Sequence, residues 1–280
     1  MALQFQPRSL ISGRAAGPRG ASGAPWGWAL AGVGLGLVVG SLVFAPARWL
    51  GSWVQQSSNG QLQLQEAHGT VWTGSARLLL TGGAGSQDQA TLPGRLQWQL
   101  RPALTGGAAG LVLQLRADCC LLQPWTWRLS PHWGGGQVVL SDSVSQWPAQ
   151  WLSGLGTPWN TIAAQGQLAL STQALTLNWS AGRLQLAGRA QLDALELSSR
   201  LSTLRPMGSY RLTLSGGATP GLQLVTLKGA LQLSGQGQWV GNRLRFAGEA
   251  SAAPESLAAL SNLLNIIGRR DGARSIIKVG

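Results

Sequence analysis

Between Trp26 and Ala45 the chain carries no charged side chain. In a helix, twenty residues rising about 1.5 Å each reach about 30 Å, the thickness of a bilayer's hydrocarbon core. The flanks agree with a membrane span. Trp26 and Trp28 stand at one edge and Trp49 and Trp53 just beyond the other, where amphipathic rings settle among headgroups. Arg8, Arg14 and Arg19 precede the run with no acidic residue, whereas the thirty residues after it set Arg48 against Glu66. Basic flanks stay in the cytoplasm, so the expectation is a flexible cytoplasmic tail at 1–25, a transmembrane helix at 26–45 and residues 46–280 on the far side.

A cleavable signal peptide also begins with basic residues, and Ala45-Pro46-Ala47 fits its small-x-small rule, but its apolar core is usually about 7–15 residues and this run is longer. A buried soluble helix suits the run less, because its five glycines are poor helix stock in water. Gly32, Gly36 and Gly40 share one helix face, which suits close approach of a second transmembrane helix; glycine is also simply common in such helices.

Beyond the span the dominant signal is a period of two. Leu62 and Leu64 alternate with glutamines, as do Leu96, Trp98 and Leu100; Leu111, Leu113 and Leu115, then Trp125, Trp127 and Leu129, repeat the pattern. It resumes at Leu168 and Leu170, at Leu175, Leu177 and Trp179, and at Leu184 and Leu186, with turns expected near Gln173 and Ala181-Gly182. Tyr210, Leu212 and Leu214, Leu222 and Leu224, Leu231 and Leu233, Trp239, Leu244 and Phe246 complete it. Alternate residues of a strand share a face, so each run has one apolar and one wet side. That favours a mainly β fold with a curved antiparallel sheet over a βαβ arrangement.

Loops are expected at 82–93, 102–110 and 130–136. Between Ser145 and Gln165 the spacing changes to four, through Trp147, Trp151, Leu155 and Trp159, and prolines and glycines break it. This reads as a joint between two halves of one sheet system. The one soluble helix expected starts at Pro254 and Glu255, carries Leu257, Leu260, Leu264 and Ile267 on a stripe, and ends at Gly268 before Arg269-Arg270. Ile276, Ile277 and Val279 suit a last strand.

Composition narrows the function. Charged residues are 11% of the chain, and the nine carboxylates and two histidines are mostly isolated, so convergent catalytic groups are scarce. His68 and His132 lie apart, no serine sits in a nucleophile elbow, and no glycine-rich phosphate loop precedes a Lys-Ser or Lys-Thr. No enzyme activity, cofactor or metal is expected. Cys119 and Cys120 are adjacent, which is the wrong spacing for zinc; they are free thiols or a vicinal disulfide. The net charge of +12 falls to +9 without the three tail arginines. Nucleic acid is not expected across a cytoplasmic membrane, so acidic headgroups, acidic proteins or an envelope polymer are the counterparts to weigh against simple solvation of strand faces.

The segment GTVWTG at 69–74, PMGSYRL at 206–212, LKGALQLSGQGQW at 227–239, FAGEA at 246–250 and LSNLLNIIGRR at 260–270 resemble the type II secretion system protein N family. The order of tail, span and β-rich region resembles that family too. The resemblance implies an accessory inner-membrane protein with a periplasmic domain, working by contact with other secretion components, with no catalytic residues to carry over. A weaker similarity, to AsmA-like envelope proteins, implies instead a lipid-binding or lipid-transfer module with an apolar groove.

Overall fold

The computed structural model describes residues 26–83, 85–105, 107–241 and 243–280; the expected tail at 1–25 lies outside the described residues. The chain divides into two units, Met1–Val43 and Phe44–Gly280. In the first, helix α1 (Trp26–Val43) buries no side chain and is long and apolar enough to cross a membrane. It stops two residues before the expected end at Ala45.

The second unit opens with α2 (Ala47–Ser57), then β1 (Leu62–Gly69), β2 (Thr73–Thr81), β3 (Gln89–Thr91), β4 (Leu96–Thr105), β5 (Ala108–Ala117), β6 (Trp125–His132), β7 (Gly135–Leu140) and β8 (Ser143–Pro148). A 3-10 helix (Ala149–Leu155) and α3 (Trp159–Ile162) lead to β9 (Gln165–Ser180), β10 (Arg183–Ser198), β11 (Gly208–Ser215), β12 (Gly221–Gly229), β13 (Leu231–Val240) and β14 (Arg243–Ala252). After α4 (Leu257–Ile267) come β15 (Arg269–Asp271) and β16 (Arg274–Val279). All pair in one antiparallel sheet of sixteen strands, in the order β1-β2-β4-β5-β6-β7-β9-β10-β11-β12-β13-β14-β16-β15, with β3 on β2 and β8 on β9. Period-two alternation thus produced the mainly β, antiparallel fold it implies.

Because neighbours in the sheet are mostly neighbours in sequence, the connections sort by end. The tight turns β4–β5, β6–β7, β9–β10, β11–β12 and β13–β14 share one end with the β1–β2 turn, hereafter the turn end. The longer connections at 82–95, 118–124, 141–164, 199–207 and 253–273 share the other, the core end.

Two expected interruptions are strand instead: β4 and β5 run through most of 102–110, and β6 and β7 fill 130–136 except a turn at Trp133-Gly134. Glycine and proline there mark hairpin tips, not long loops. The connection at 82–93 is a loop apart from the three residues of β3. The turn expected near Gln173 is absent: β9 continues for sixteen residues. Its inward set passes from Leu168 and Leu170 to Leu175 and Leu177 because Ala174 and Leu175 together oppose the single residue Gly188. An extra residue of this kind, a β-bulge, switches parity without turning the chain. Ala174 adopts φ 48°, and its N–H, lost to the ladder, donates to Asp142 Oδ1 at 2.6 Å from the break between β7 and β8. Similar bulges carry Glu66 at φ 49° and Glu196 at φ 50°.

The core lies on one face and towards the core end. Leu260, Leu263 and Leu264 of α4 are fully buried against Tyr210, Leu231, Ala250 and Met207. Burying a leucine contributes about 1.5–3 kcal/mol, so this short helix holds the C-terminal third of the sheet in place. Ala149, Ala164 and Leu168 form a middle cluster with Trp147 and Leu152. At the N-terminal side α2, a helix the sequence reading did not expect, sets Ala47 and Leu50 over Ala76, Trp98 and Leu64. The joint at 145–165 is thereby a strand, a 3-10 helix and one helical turn folded over a sheet that runs through it without a break.

Gly188 sits at φ 84°, and a Cβ there would run into the Ala174 carbonyl. Gly182, at φ 74° in the β9–β10 turn, has open space around it. Gly188→Ala is expected to cost about 1–3 kcal/mol and Gly182→Ala about 1 kcal/mol or less. Thermal unfolding of the detergent-solubilised full chain checks the order; equal losses would contradict the assignment of the bulge.

Candidate interaction surfaces

The two faces of the sheet differ in chemistry. Cross-strand partners carry one apolar surface from β5 to β12: Leu113 opposes Trp127, Trp127 opposes Leu140, Leu129 opposes Val138, Val138 opposes Leu177, and Leu177 opposes Leu186. Further on, Leu192 opposes Leu212 and Leu212 opposes Leu224. The helices cover this surface near the core end. Towards the turn end it stays half-buried, with a hollow of about 650 Å³ lined by Leu177, Leu184, Leu186, Leu214, Pro220 and Trp239.

The opposite face is glutamine, threonine and arginine. Its best-formed polar contact joins β10 to β11: Arg211 Nε and Nη2 donate to the two carboxylate oxygens of Asp193, each at 2.8 Å, and Gln191 Nε2 donates to Asp193 Oδ2 at 3.2 Å. The Arg211 hydrogen bonds hold the Asp193 carboxyl below its usual value despite partial desolvation. A second cluster surrounds the Glu66 bulge. Arg77 Nη1 lies 3.1 Å from Glu66 Oε1, Arg95 Nη2 donates to the Glu66 carbonyl at 2.6 Å, and His68 Nδ1 lies 2.8 Å from that same Nη2. On the covered face, burial pushes the Tyr210 phenol up, and its hydroxyl finds no protein partner.

Charge is sorted along the strands. Apart from the β1–β2 hairpin, whose bulge carries Glu66, the half-hairpins nearest the turn end, residues 99–115, 126–139, 175–191, 212–224 and 235–247, contain none of the nine carboxylates. They contain Arg101, Arg128, Arg183, Arg189, Arg243 and Arg245, all exposed. None of the six joins an ion pair among the described residues. Sequence reading passed over this pattern, although the spacing of the carboxylates alone displays it.

The singled-out residues fall in separate places. Gly32, Gly36 and Gly40 lie along α1, and a Cβ added at any of them would meet nothing. Cys119 and Cys120 lie at the core end between β5 and β6, joined through their sulfurs with Cα atoms 3.7 Å apart. Cys120 is buried, and its carbonyl accepts from Gln146 N at 2.8 Å, tying this connection to β8. His132, at the turn end of β6, lies far along the strand from them. Among the described residues no three of His, Cys, Asp and Glu gather where a metal ion would need them. The sheet ends at β1, along which α2 lies, with the Ser58 hydroxyl bonding both the N–H and the carbonyl of Leu62 and Gly51 close to the Leu64 carbonyl, and at the three-residue β15 with the uncovered end of β16.

The body is one broad antiparallel sheet with an apolar face partly covered by helices and a wet face opposite it. The chain is a member of the type II secretion system protein N family, whose model matches residues 60–277. No curated protein and no solved structure matches it. The family places the chain among the components of type II secretion.

Folded Asp193 titrates below its unfolded value of 3.8. Its contribution to stability is therefore complete above that pH and is lost as pH falls through the folded value. Asp193→Asn is expected to lower the melting temperature at neutral pH, and the difference from wild type should shrink below pH 3.8. Melting curves across that range decide it; a pH-independent difference would mean the ion pair is not its source.

Proposed function

We propose that the protein is an accessory inner-membrane component of the type II secretion system that supports export of folded proteins through contacts and not through catalysis. The family match over residues 60–277 carries this reading. In it, α1 is a retained single-pass anchor, residues 1–25 are cytoplasmic, and residues 46–280 form the periplasmic body. The tail arginines and the flanking tryptophans support that orientation. Partners are other secretion components, met through the sheet edge at β15 and the end of β16, where a strand can add, and through the glycine face of α1 at Gly32, Gly36 and Gly40. An oxidised Cys119–Cys120 pair accords with an oxidising periplasm.

A second reading, a lipid-binding or lipid-transfer module, draws support from the hollow at Leu177, Leu184 and Trp239. The helices filling the core end of the same face count against a continuous groove.

Deletion of the gene should leave secreted substrates in the periplasm, and normal secretion without it would refute the assignment. For topology, alkaline carbonate should leave the full-length chain in the membrane, and protease should reach residues 46–280 in spheroplasts but not in inverted vesicles. A soluble product beginning near Arg48 would show a cleaved leader in place of an anchor.

A further inference from the structure

The turn end combines three properties found together nowhere else on the body. First, outside the β1–β2 hairpin with its Glu66, it is basic without compensation, with six exposed arginines and no carboxylate in its half-hairpins. Second, its tips expose large apolar side chains: Trp133 is 103% exposed, Leu104 83%, Leu184 64% and Val240 55%. Third, the chain enters the body from the same side, since Pro46 bridges to Thr70 in the β1–β2 turn and Val71 N donates to Ala45 O at 2.9 Å, at the level of Leu100 and short of the β4–β5 tip.

Exposed tryptophan and leucine at hairpin tips cost free energy in water. An aqueous acidic protein would answer the arginines but leaves single protruding tips without a pocket. A bilayer interface answers both. Tryptophan settles at headgroup depth, leucine and valine enter the acyl boundary, and arginines on the wet face reach anionic phosphates with their long stems. Each basic residue near an anionic surface adds attraction, screened beyond about 8 Å at physiological salt. The hairpin-tip edge is therefore a second membrane-contact surface. We infer that this edge, formed by the β4–β5, β6–β7, β9–β10 and β13–β14 tips, seats on the surface of an anionic lipid bilayer. This rests on the reading of α1 as a retained anchor, and it differs from lipid capture in the hollow because the lipids stay in their bilayer.

The test uses the full chain in nanodiscs of phosphatidylcholine alone and nanodiscs containing phosphatidylglycerol. Trp133→Phe isolates one residue's emission as the difference from wild type. In phosphatidylglycerol discs that difference should be blue-shifted, quenched by bromine-labelled phospholipid and shielded from aqueous iodide. In phosphatidylcholine discs quenching should be weaker. The triple variant Arg128→Gln, Arg183→Gln, Arg243→Gln should lose the dependence on phosphatidylglycerol. Emission that iodide reaches and bromolipid does not, in both discs, overturns the proposal. Shielding that appears only on adding another secretion component, with no bromolipid quenching, also overturns it and assigns the edge to a protein. A triple variant that keeps its lipid preference overturns the role of the arginines. Failure of the chain to enter the discs is a failure of the anchor reading instead; entry with Trp133 left in water is a failure of this one.

Discussion

A sheet that is apolar on one side must have that side covered, and this chain has little with which to cover it. Sixteen strands carry leucine and tryptophan across one face, and among the described residues the covers are α2, the 3-10 helix with α3, α4 and the connection at 199–207. Each cover is at most eleven residues long. They meet the sheet mainly near the core end, which is where every long connection lies. Burial of leucine at about 1.5–3 kcal/mol each therefore concentrates stability at that end. The tight turns at the opposite end are held by ladder hydrogen bonds and half-buried side chains.

Covering short stretches with short helices requires close approach, and glycine supplies it. Gly74 lies flat against the Trp98 ring, where a Cβ would stand 2.5 Å from a ring carbon. Trp98 Nε1 donates to the carbonyls of Thr70 and Val71, each at 3.2 Å. The same turn receives Pro46 and precedes β2. The segment at 69–74 thus locks the start of α2, the first hairpin and a buried tryptophan together. The segment at 260–270 does the corresponding work at the other end: Leu260, Leu263 and Leu264 fill the core, the Ser275 hydroxyl donates to the Leu264 carbonyl, and Arg269 begins the last hairpin. Two of the segments that carry the family resemblance are the two that fasten helices to the sheet.

Much of this was legible in the sequence because alternation is a local signal. Strand identity, the apolar face and α4 all follow from side-chain spacing within one element. The parity change from Leu170 to Leu175 has the same local signature for a turn and for a bulge; only pairing with Gly188 on another strand separates the two. Proline and glycine at 102–110 and 130–136 signal loops locally, whereas the cross-strand partners that keep these residues in the ladder lie elsewhere in the chain. Ala47, Leu50, Gly51 and Val54 follow helical spacing, but this stripe is weak beside the long apolar run that precedes it. The candidate surfaces were less legible still, because a surface is assembled from many strands.

Charge sorting shows what that assembly adds. Several carboxylates, taken singly, have a local reason: Asp142 accepts the N–H of a bulge, Asp193 holds Arg211 across two strands, and Glu66 gathers Arg77 and Arg95. None of these reasons operates in a tight hairpin tip, where a two-residue turn leaves no freed donor to satisfy. Arginine is under no such constraint, since it projects from the wet face at any level of a strand. Satisfying local geometry with carboxylates at the bulges and the core end therefore leaves the tips cationic, and the protein's long-range field points along the strands, from its helix-covered end to its bare one.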